Sequence, residues 1–388
     1  MSIASKSTFT ISSGQSKPNR YSEILQEFLE PADVLLNGGR AWDIRVHNDG
    51  FYSKILAGGS LAFGETYMDG WWECEALDEL FYKLQRAMLK NRIKRPNKSL
   101  WSLLRAKLTN LQTRSKVVNV GGTHYNRTSE LYQTMLDKRM AYSGAYWKTA
   151  TNLDEAQEAK MDLICKKIML KPGMRILDIG CGWGSFAKYA AENYGVEVVG
   201  VTVSEEQHKL GSEMCEGLPV ELRLQDYREI DGQFDRIVSV GMFEHVGAKN
   251  YRTFMKSVKR NLVPDGLFLL HTIGANTTNK VIDPWFNKYI FPDSLTPSPQ
   301  QVSEAAEGLF VMEDWHSFGS DYDKTLMAWH ANFLNGWETI KSQFDERFYR
   351  MWRYYLLSSA GSFRARSSQL WQIVFSINGV NGGYESAR

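Results

Sequence analysis

The sequence has few cysteines, no long apolar run and no recognisable secretory leader. No window approaches the ~18 consecutive apolar residues that span a bilayer, so we expect no membrane-spanning helix. Residues 1–19 are rich in Ser, Thr and Lys without an apolar core, which predicts a disordered tail over 1–20 and no signal peptide. Cys74, Cys165, Cys181 and Cys215 have no CxxC or metal-ligand spacing. This predicts no metal site and a reducing, cytoplasmic compartment.

Acidic residues are absent between Phe81 and Ser129, although the formal net charge of the 388-residue chain is only +2. The rest of the chain has 34 basic against 44 acidic residues, so a cationic stretch adjoins an acidic body. We call this stretch the basic segment, and its twelve cations are Lys83, Arg86, Lys90, Arg92, Lys94, Arg95, Lys98, Arg105, Lys107, Arg114, Lys116 and Arg127.

The basic segment has two interpretations with comparable support. Within it, the apolar spacing of Ser99–Leu111, which includes Trp101, predicts an amphipathic helix suited to an anionic bilayer. A solvated linker fits equally well for Lys90–Lys98. Nucleic acid is disfavoured as a partner, because no nucleic-acid-binding motif accompanies the charges.

Composition and turn-forming residues divide the chain into parts. Hydrophobic residues make up 43% and charged residues 23%, as in an ordinary globular protein, and the 13% aromatic share suits an apolar ligand site or a bilayer interface. Residues 21–83 contain short apolar runs separated by Asn-Gly, Gly-Gly and Asp-Gly turns, which predicts a small α/β domain. We assign 84–120 to a linker with an amphipathic helix and 121–388 to a second domain.

Strand and helix patterns alternate in the second domain, which indicates an α/β fold with an open parallel sheet. The predicted strands are Arg175–Ile179, Glu197–Val201, Glu221–Leu224, Arg236–Val240, Leu267–Thr272, Val311–Trp315 and Leu370–Phe375. The predicted helices include Ser185–Asn193, Ser204–Cys215, Tyr251–Asn261 and Asp323–Phe333.

A glycine-rich turn follows the first of these strands. Asp178 ends an apolar run, and Gly180, Gly182 and Gly184 alternate before a helix, an arrangement that lets the backbone approach a ligand closely. The spacing differs from the dinucleotide fingerprint and lacks the Lys-Ser/Thr of a P-loop. It resembles motif I of the class I S-adenosylmethionine-dependent methyltransferases, in which this turn holds the methionyl end of the cofactor.

The end of the second strand departs from that class. An acid that binds the ribose commonly stands there, whereas this chain has Thr202 and Ser204, followed by Gln207. Gln207 can both donate to and accept from vicinal hydroxyls. Ser204 also fits an N-cap, with Gln207 completing a capping box, and the two roles are compatible.

Several motifs together resemble those of the cyclopropane-fatty-acyl-phospholipid synthases and, more distantly, the mycolic acid cyclopropane synthases. They run in family order from about residue 21 to the C-terminus. The matching stretches are Gly64–Glu73, Met140–Trp147, Asp178–Gly184, Gly200–Gln207, Gly241–Gly247, His271–Gly274 and Phe363–Arg366.

This resemblance implies a class I methyltransferase, a Rossmann-like doubly wound sheet, preceded by a small α/β N-terminal lipid-binding domain. It also implies methylene transfer from S-adenosylmethionine to the cis double bond of an unsaturated acyl chain in a membrane phospholipid. The protein is then expected to be a homodimer associated peripherally with the inner face of the cytoplasmic membrane.

The resemblance also assigns site residues. A bicarbonate ion is expected at Glu244, His271, the Ile273 main-chain amide, Tyr322 and Gly144. Cofactor-binding positions are expected at Tyr142, Ser143, Asp178, Gly180, Cys181, Gly182, Trp183, Gly184, Thr202, Ser204, Gln207, Gln225, Asp226 and Tyr227.

The chemistry of ring formation fits these residues. An alkene is a weak nucleophile, and methyl addition to it leaves a carbocation whose ring closure requires a base and the exclusion of water. Glu244 follows one predicted strand and His271 lies at the end of another, where open α/β sheets bind ligands, although a lone Glu or His there also fits a structural role. We interpret the neighbouring His245 as structural.

Two alternatives remain open from sequence alone. The family has cysteine where this chain has Gly144 and often where it has Ser359, which is compatible with a catalytically impaired lipid-binding paralogue. An acyl-chain methyltransferase that leaves a methyl branch is the second alternative. The sequence favours the cyclopropane-forming enzyme, since the glycine turn and Glu244 are intact.

Overall fold

The computed structural model describes residues 20–90, 129–279 and 281–388. Most of the basic segment, including the helix predicted at Ser99–Leu111, lies outside these ranges, as do residues 1–19. Within them, no helix has both the length and the apolarity needed to cross a bilayer. The same ranges contain no group of three or more His, Cys, Asp or Glu side chains arranged to hold a metal ion.

The N-terminal part is a small helical layer with a two-stranded antiparallel ribbon. Its apolar positions recur at helical spacing, and residues such as Leu25, Leu29, Leu80 and Leu84 are buried. Its elements are α1 (Arg20–Leu29), β1 (Arg45–Val46), α2 (Gly50–Met68), β2 (Trp72–Glu73) and α3 (Leu77–Leu89).

Helix α3 continues through the boundary predicted between residues 83 and 84. Leu84 and Ala87, which lie on the linker side of that boundary, are buried in the helical layer. The first residues of the predicted linker are therefore part of a packed helix, whereas the division of the chain into domains remains a prediction.

The C-terminal part is built on a seven-stranded sheet that contains all seven predicted strands. The bounds of six strands change by at most about two residues, whereas β7 begins about five residues earlier and ends about three later than predicted. The strands are β3 (Arg175–Ile179), β4 (Glu197–Thr202), β5 (Val220–Leu224), β6 (Phe234–Val240), β7 (Leu262–Ala275), β8 (Val311–Ser317) and β9 (Ser368–Ser376). The helices are α4 (Ser129–Met135), α5 (Leu153–Lys167), α6 (Ser185–Tyr194), α7 (Glu205–Met214), α8 (Phe243–Val246), α9 (Tyr251–Asn261), α10 (Pro284–Tyr289), α11 (Pro299–Ala306), α12 (Ser320–Ile340) and α13 (Glu346–Arg364).

The predicted α/β fold with an open, doubly wound sheet is confirmed, and the sheet is parallel except for one strand that runs antiparallel to its neighbours. The strand order is β5-β4-β3-β6-β7-β9-β8, and β3 to β7 run parallel to one another. Strand β9 is antiparallel to both β7 and β8. An apolar run such as Leu370–Phe375 reveals that a strand is buried, but it carries no information about its direction.

Both faces of the sheet are covered, as a doubly wound α/β fold requires. Alternate strand residues face opposite sides, so Ile176 and Val198 pack with Phe186 of α6 on one face. Leu177 and Val199 belong to the cluster that contains Phe254 of α9 on the other face. This packing holds the carboxyl ends of β3, β4, β6 and β7 together at one edge.

Candidate cofactor and catalytic site

The glycine turn after β3 exposes main chain to a cavity. Gly180, Gly182 and Gly184 have φ angles of 82°, 58° and 79°, which side-chain-bearing residues rarely adopt. The Gly180 and Cys181 amides donate to the Val201 carbonyl at 2.9 and 3.0 Å, which fixes the turn against β4. A Cβ added at Gly182 would meet no atom within 4 Å, so the backbone there borders open space.

The cavity over this turn is lined by most of the predicted cofactor residues. Those on its wall are Tyr142, Ser143, Asp178, Gly180, Cys181, Gly182, Trp183, Thr202, Ser204, Gln207, Gln225 and Tyr227. Gly184 lies one step further on and is the N-cap of α6. Asp226 is also off the wall, and its carboxylate accepts from the Arg228 amide and pairs with the Arg228 guanidinium.

Thr202, Ser204 and Gln207 form one hydrogen-bonded group at the end of β4. The Ser204 hydroxyl accepts from the Gln207 amide and caps α7. Thr202 Oγ1 donates to Gln207 Oε1 at 2.9 Å, so the Gln207 side chain binds Thr202 and not the Ser204 amide of a full capping box. The Gln207 NH2 group is left as a donor suited to a ribose hydroxyl.

Asp178 is buried near the end of β3, just before the turn. Burial raises the pKa of its carboxyl to about 7, and the charge of Lys160 opposes that rise. Its Oδ1 atom has no hydrogen-bond partner among the described residues. A buried, unsatisfied carboxyl oxygen on a cavity wall fits a site that binds a donor such as the ammonium group of S-adenosylmethionine.

Buried aromatic rings pack behind Tyr142 and Trp183 of the cavity wall. Tyr142 packs edge-on against Tyr132 at 5.2 Å between centroids and tilts over Trp329 at the same separation. Tyr132 also contacts Trp183 at 5.0 Å, and the Tyr142 hydroxyl bonds that of Tyr355 at 2.9 Å. The π faces of such rings stabilise cations in surroundings that exclude water.

Glu244 and Ile273, two of the predicted bicarbonate residues, are in direct contact. The Ile273 amide donates to Glu244 Oε1 at 2.6 Å, while Glu244 Oε2 is buried with no partner among the described residues. Burial raises the pKa of Glu244 to about 7. The carboxyl group can therefore carry a proton near neutral pH and donate it to an oxygen.

His271 lies two residues before Ile273 on the same face of β7. Its Nδ1 is 3.3 Å from Gln372 Nε2, which can only donate, so the proton of the neutral ring is on Nε2. Nε2 is buried without a partner in the described part of the chain. Burial lowers the pKa of His271 well below its ordinary value, so the ring acts as a neutral donor.

Gly144 and Tyr322 pack against each other beside the same strands. A Cβ at residue 144 would lie 2.6 Å from Leu370 Cδ2 and 2.9 Å from Tyr322 Cδ1, so a side chain does not fit there without movement. Leu370 pairs with Ile273 in the sheet. Residue 144 can thus contribute only its main chain, and Tyr322 occupies the adjoining space.

Some residues of the cavity wall were missed by the sequence analysis. Lys160 of α5 lines it, and His245, which the sequence suggests is structural, lines it too. Gln157 of α5 is off the wall and donates to the carbonyl oxygen of Ser143. The Nδ1 atom of His245 is buried without a partner among the described residues. A helix with polar residues at positions 157 and 160 among buried apolar neighbours was the available signal.

None of the four cysteines is placed to act as a nucleophile. All four are free and buried. Burial raises the pKa of the Cys74 thiol to about 12, and it raises the pKa values of Cys165, Cys181 and Cys215 as well. A neutral thiol is a poor nucleophile, so the site lacks a side chain that would trap a carbocation in this way.

The sheet order, the glycine turn at the end of β3 and the polar groups that face it define a class I S-adenosylmethionine-dependent methyltransferase. The model of the mycolic acid cyclopropane synthetase family matches residues 112–373, and the chain belongs to this family. It is accordingly an S-adenosylmethionine-dependent enzyme, as the resemblance predicted.

Individual relatives agree with this assignment. The chain is 54% identical over 370 residues to the cyclopropane-fatty-acyl-phospholipid synthase of Escherichia coli K12, covering 95% of this chain and 97% of that one. The cyclopropane synthase MmaA2 from Mycobacterium tuberculosis superposes with a TM-score of 0.63 at 29% identity, covering 69% of this chain and 99% of that one. The mycolic acid cyclopropane synthase CmaA1 complexed with SAH and CTAB superposes with a TM-score of 0.61 at 32% identity, covering 66% of this chain and 97% of that one.

Proposed function

We propose that the enzyme transfers a methylene group from S-adenosylmethionine to the cis double bond of an unsaturated fatty acyl chain of a membrane phospholipid, which gives a cyclopropane ring. The observation that carries the proposal is a cluster of buried polar groups near the end of β7. Glu244 accepts from the Ile273 amide, His271 lies two residues earlier on the strand, and Glu244 Oε2 and His271 Nε2 are both unsatisfied among the described residues. This cluster and the glycine turn both adjoin the carboxyl ends of the central strands. The name of the relative from Escherichia coli supports the same substrate.

S-adenosylmethionine, when bound, supplies an electrophilic methyl group. Asp178 and Ser143 suit its amino-acid end, and Gln207 suits its ribose. The ring of Tyr142, which lines the cavity and is backed by Trp329, suits the positive charge that methylation would place on the lipid. The walls contain no ionised thiol that could capture this charge.

Bicarbonate, when bound, would supply a small base for a proton of the transferred methyl group. The two orphaned atoms, Glu244 Oε2 and His271 Nε2, suit such an ion, because protonated Glu244 and neutral His271 each donate one hydrogen bond. The orphaned groups cost free energy unless a ligand satisfies them. Tyr322 and the main chain at Gly144 lie beside Leu370, which pairs with Ile273 in the sheet.

Association with a bilayer is part of the proposal and is supported by α1. Tyr21, Ile24 and Phe28 recur at helical spacing with exposures of 48, 41 and 38% within the described structure. Apolar side chains on one helix face lower their free energy by entering the interface of a membrane. The cations of the basic segment suit anionic headgroups, and a homodimer at the cytoplasmic membrane remains our expectation.

A labelled-cofactor assay tests the reaction. Liposomes of a monounsaturated phosphatidylglycerol are incubated with enzyme, methyl-labelled S-adenosylmethionine and bicarbonate, and we expect label in a lipid that has gained CH2 and resists ozonolysis. A labelled lipid that ozone still cleaves would instead identify a methyl-branching enzyme. Cofactor binding with no transfer to lipid would identify the impaired paralogue.

The Glu244→Gln variant tests the bicarbonate assignment. The amide can still donate a hydrogen bond to the ion, but unlike a carboxyl group with a pKa of about 7 it cannot pass on the proton that the ion removes from the methyl group. We therefore expect turnover to fall by at least ~100-fold while cofactor affinity is retained. The exposed Glu304→Gln variant is the control and should react at the rate of the unmodified enzyme. Full turnover by Glu244→Gln would reject the assignment.

A further inference from the structure

Lys160 is a buried cation on the wall of the cofactor cavity. It lies in α5, is 2% exposed, and its Nζ donates to the Ser143 hydroxyl oxygen at 2.7 Å. Gln157, one turn earlier in α5, donates to the carbonyl oxygens of Ala141 and Ser143 at 3.2 and 2.9 Å. The helix therefore holds both the backbone and the side chain of this segment.

The lysine fixes the direction in which Ser143 can donate. An ammonium group has three donors and no acceptor, so Ser143 Oγ must be the acceptor of this bond. In the part of the chain that is described, the Ser143 hydroxyl makes no second hydrogen bond. Its own hydrogen remains available for an acceptor in the cavity that Ser143 lines.

The positive charge of Lys160 has no contact ion pair in the described ranges. Asp137 and Asp178 attract it from a distance. The Asp137 carboxylate instead accepts from the amides of Arg139 and Ala141, at 3.0 and 2.9 Å. A buried cation without a contact partner is costly, and a bound anion would relieve that cost.

We propose that Lys160 is a positioning residue for the amino-acid carboxylate of S-adenosylmethionine, acting through Ser143. It makes the Ser143 hydroxyl an obligatory donor to the carboxylate and supplies the compensating charge. Asp178 lines the same cavity and suits the ammonium group of the same amino acid. The inference depends on the cofactor and not on the proposed lipid substrate or bicarbonate.

The test compares two ligands by calorimetry on the full chain without lipid. S-adenosylhomocysteine has the amino-acid group, whereas 5′-methylthioadenosine lacks it. We expect Lys160→Met to weaken the binding of S-adenosylhomocysteine about 10- to 100-fold, which is the range for a charge-assisted hydrogen bond. The affinity for 5′-methylthioadenosine should change by less than about threefold. Equal loss for both ligands, or no loss for either, would overturn the proposal.

Lys167 provides a matched control on the same helix. It is as buried as Lys160, but its Nζ faces Asp314 at 3.3 Å, away from the cavity wall. Lys167→Met should leave both affinities unchanged, which separates the loss of a buried lysine in α5 from the loss of this one.

Ser143→Ala keeps the test decisive if Lys160→Met does not fold. It removes only the hydroxyl oxygen, and we expect it to weaken the binding of S-adenosylhomocysteine while sparing that of 5′-methylthioadenosine. The loss of binding free energy in the double variant should be much smaller than the sum of the losses in the two single variants, because both changes remove the same interaction. Strict additivity, or an unaltered affinity in Ser143→Ala, would contradict action through Ser143.

Discussion

Glu244 and Asp178 are two carboxyl groups that burial keeps close to half-protonated at neutral pH, since it raises the pKa of each to about 7. A group whose pKa is higher in the folded than in the unfolded state stabilises the fold below its unfolded pKa. That contribution is lost as the pH rises through the folded pKa. For Glu244 the window runs from about pH 4.5 to pH 7.

We predict that the stability of Glu244→Gln depends on pH differently from that of the unmodified protein. The variant lacks the ionisable group, so its free energy of unfolding relative to that of the unmodified protein should rise between pH 5 and pH 8. The rise of the Glu244 pKa from 4.5 to about 7 on folding corresponds to a change of at most about 3 kcal/mol in this difference. Urea unfolding of both proteins at the two pH values measures it, and a constant difference would contradict the assigned pKa.

The sequence identified residues at this site when they belonged to a motif. The glycine turn and Glu244 fall within short matching stretches, and the structure places them at the cavity or beside it. Lys160 was missed, because a lysine in a helix usually lies in solvent and its partner, Ser143, belongs to another segment. The lack of room at Gly144 likewise depends on Leu370 and Tyr322, which are distant in sequence.

At the scale of helices and strands, Arg364 joins three elements. From the end of α13 its guanidinium makes two bonds of 3.0 Å to Asp323 of α12 and one of 2.7 Å to Asp78 of α3. The paired bonds match the planar geometry of a carboxylate, and partial burial limits screening by solvent. This residue therefore connects the N-terminal layer to the C-terminal part.

We predict that Arg364→Met lowers the free energy of unfolding by roughly 1–3 kcal/mol, because it leaves two partly buried carboxylates without their cation. Urea unfolding measures the loss. Arg347→Met removes a more exposed pair with Asp69 at 2.9 Å and should cost less than about 1 kcal/mol. Equal losses in the two variants would show that Arg364 acts as an ordinary surface charge.

Sequence patterns located the strands well and their arrangement less well. Apolar runs gave β3 to β9 within a few residues, since a buried strand needs such a run. The antiparallel direction of β9 and the extent of α3 depend on contacts with distant segments, which a local pattern does not encode.

At the scale of the whole molecule, α1 belongs to the N-terminal part, which precedes the methyltransferase sheet along the chain, and one of its faces is exposed. Leu25 and Leu29 of the same helix are buried, so α1 is anchored to the body while Ile24 and Phe28 point outward. A helix held in this way can enter a membrane interface without unfolding.

We predict that replacing both Ile24 and Phe28 by serine weakens binding to anionic phospholipid vesicles about tenfold, because two apolar side chains no longer leave water. Co-sedimentation measures the binding. Val311→Ser, which removes a side chain of 44% exposure on β8, is the control and should bind as the unmodified protein does. Undiminished sedimentation of the double variant would place the membrane contact elsewhere.

The position of β9 has a consequence for synthesis. Among the described strands, β8 pairs only with β9, and β9 separates it from β7. While the ribosome is still translating α12 and α13, β8 has no neighbour and the β7 edge is bare. The growing polypeptide must therefore wait for residues 368–376 to leave the exit tunnel before its sheet can close, and during that delay a chaperone or a second nascent chain can reach both edges.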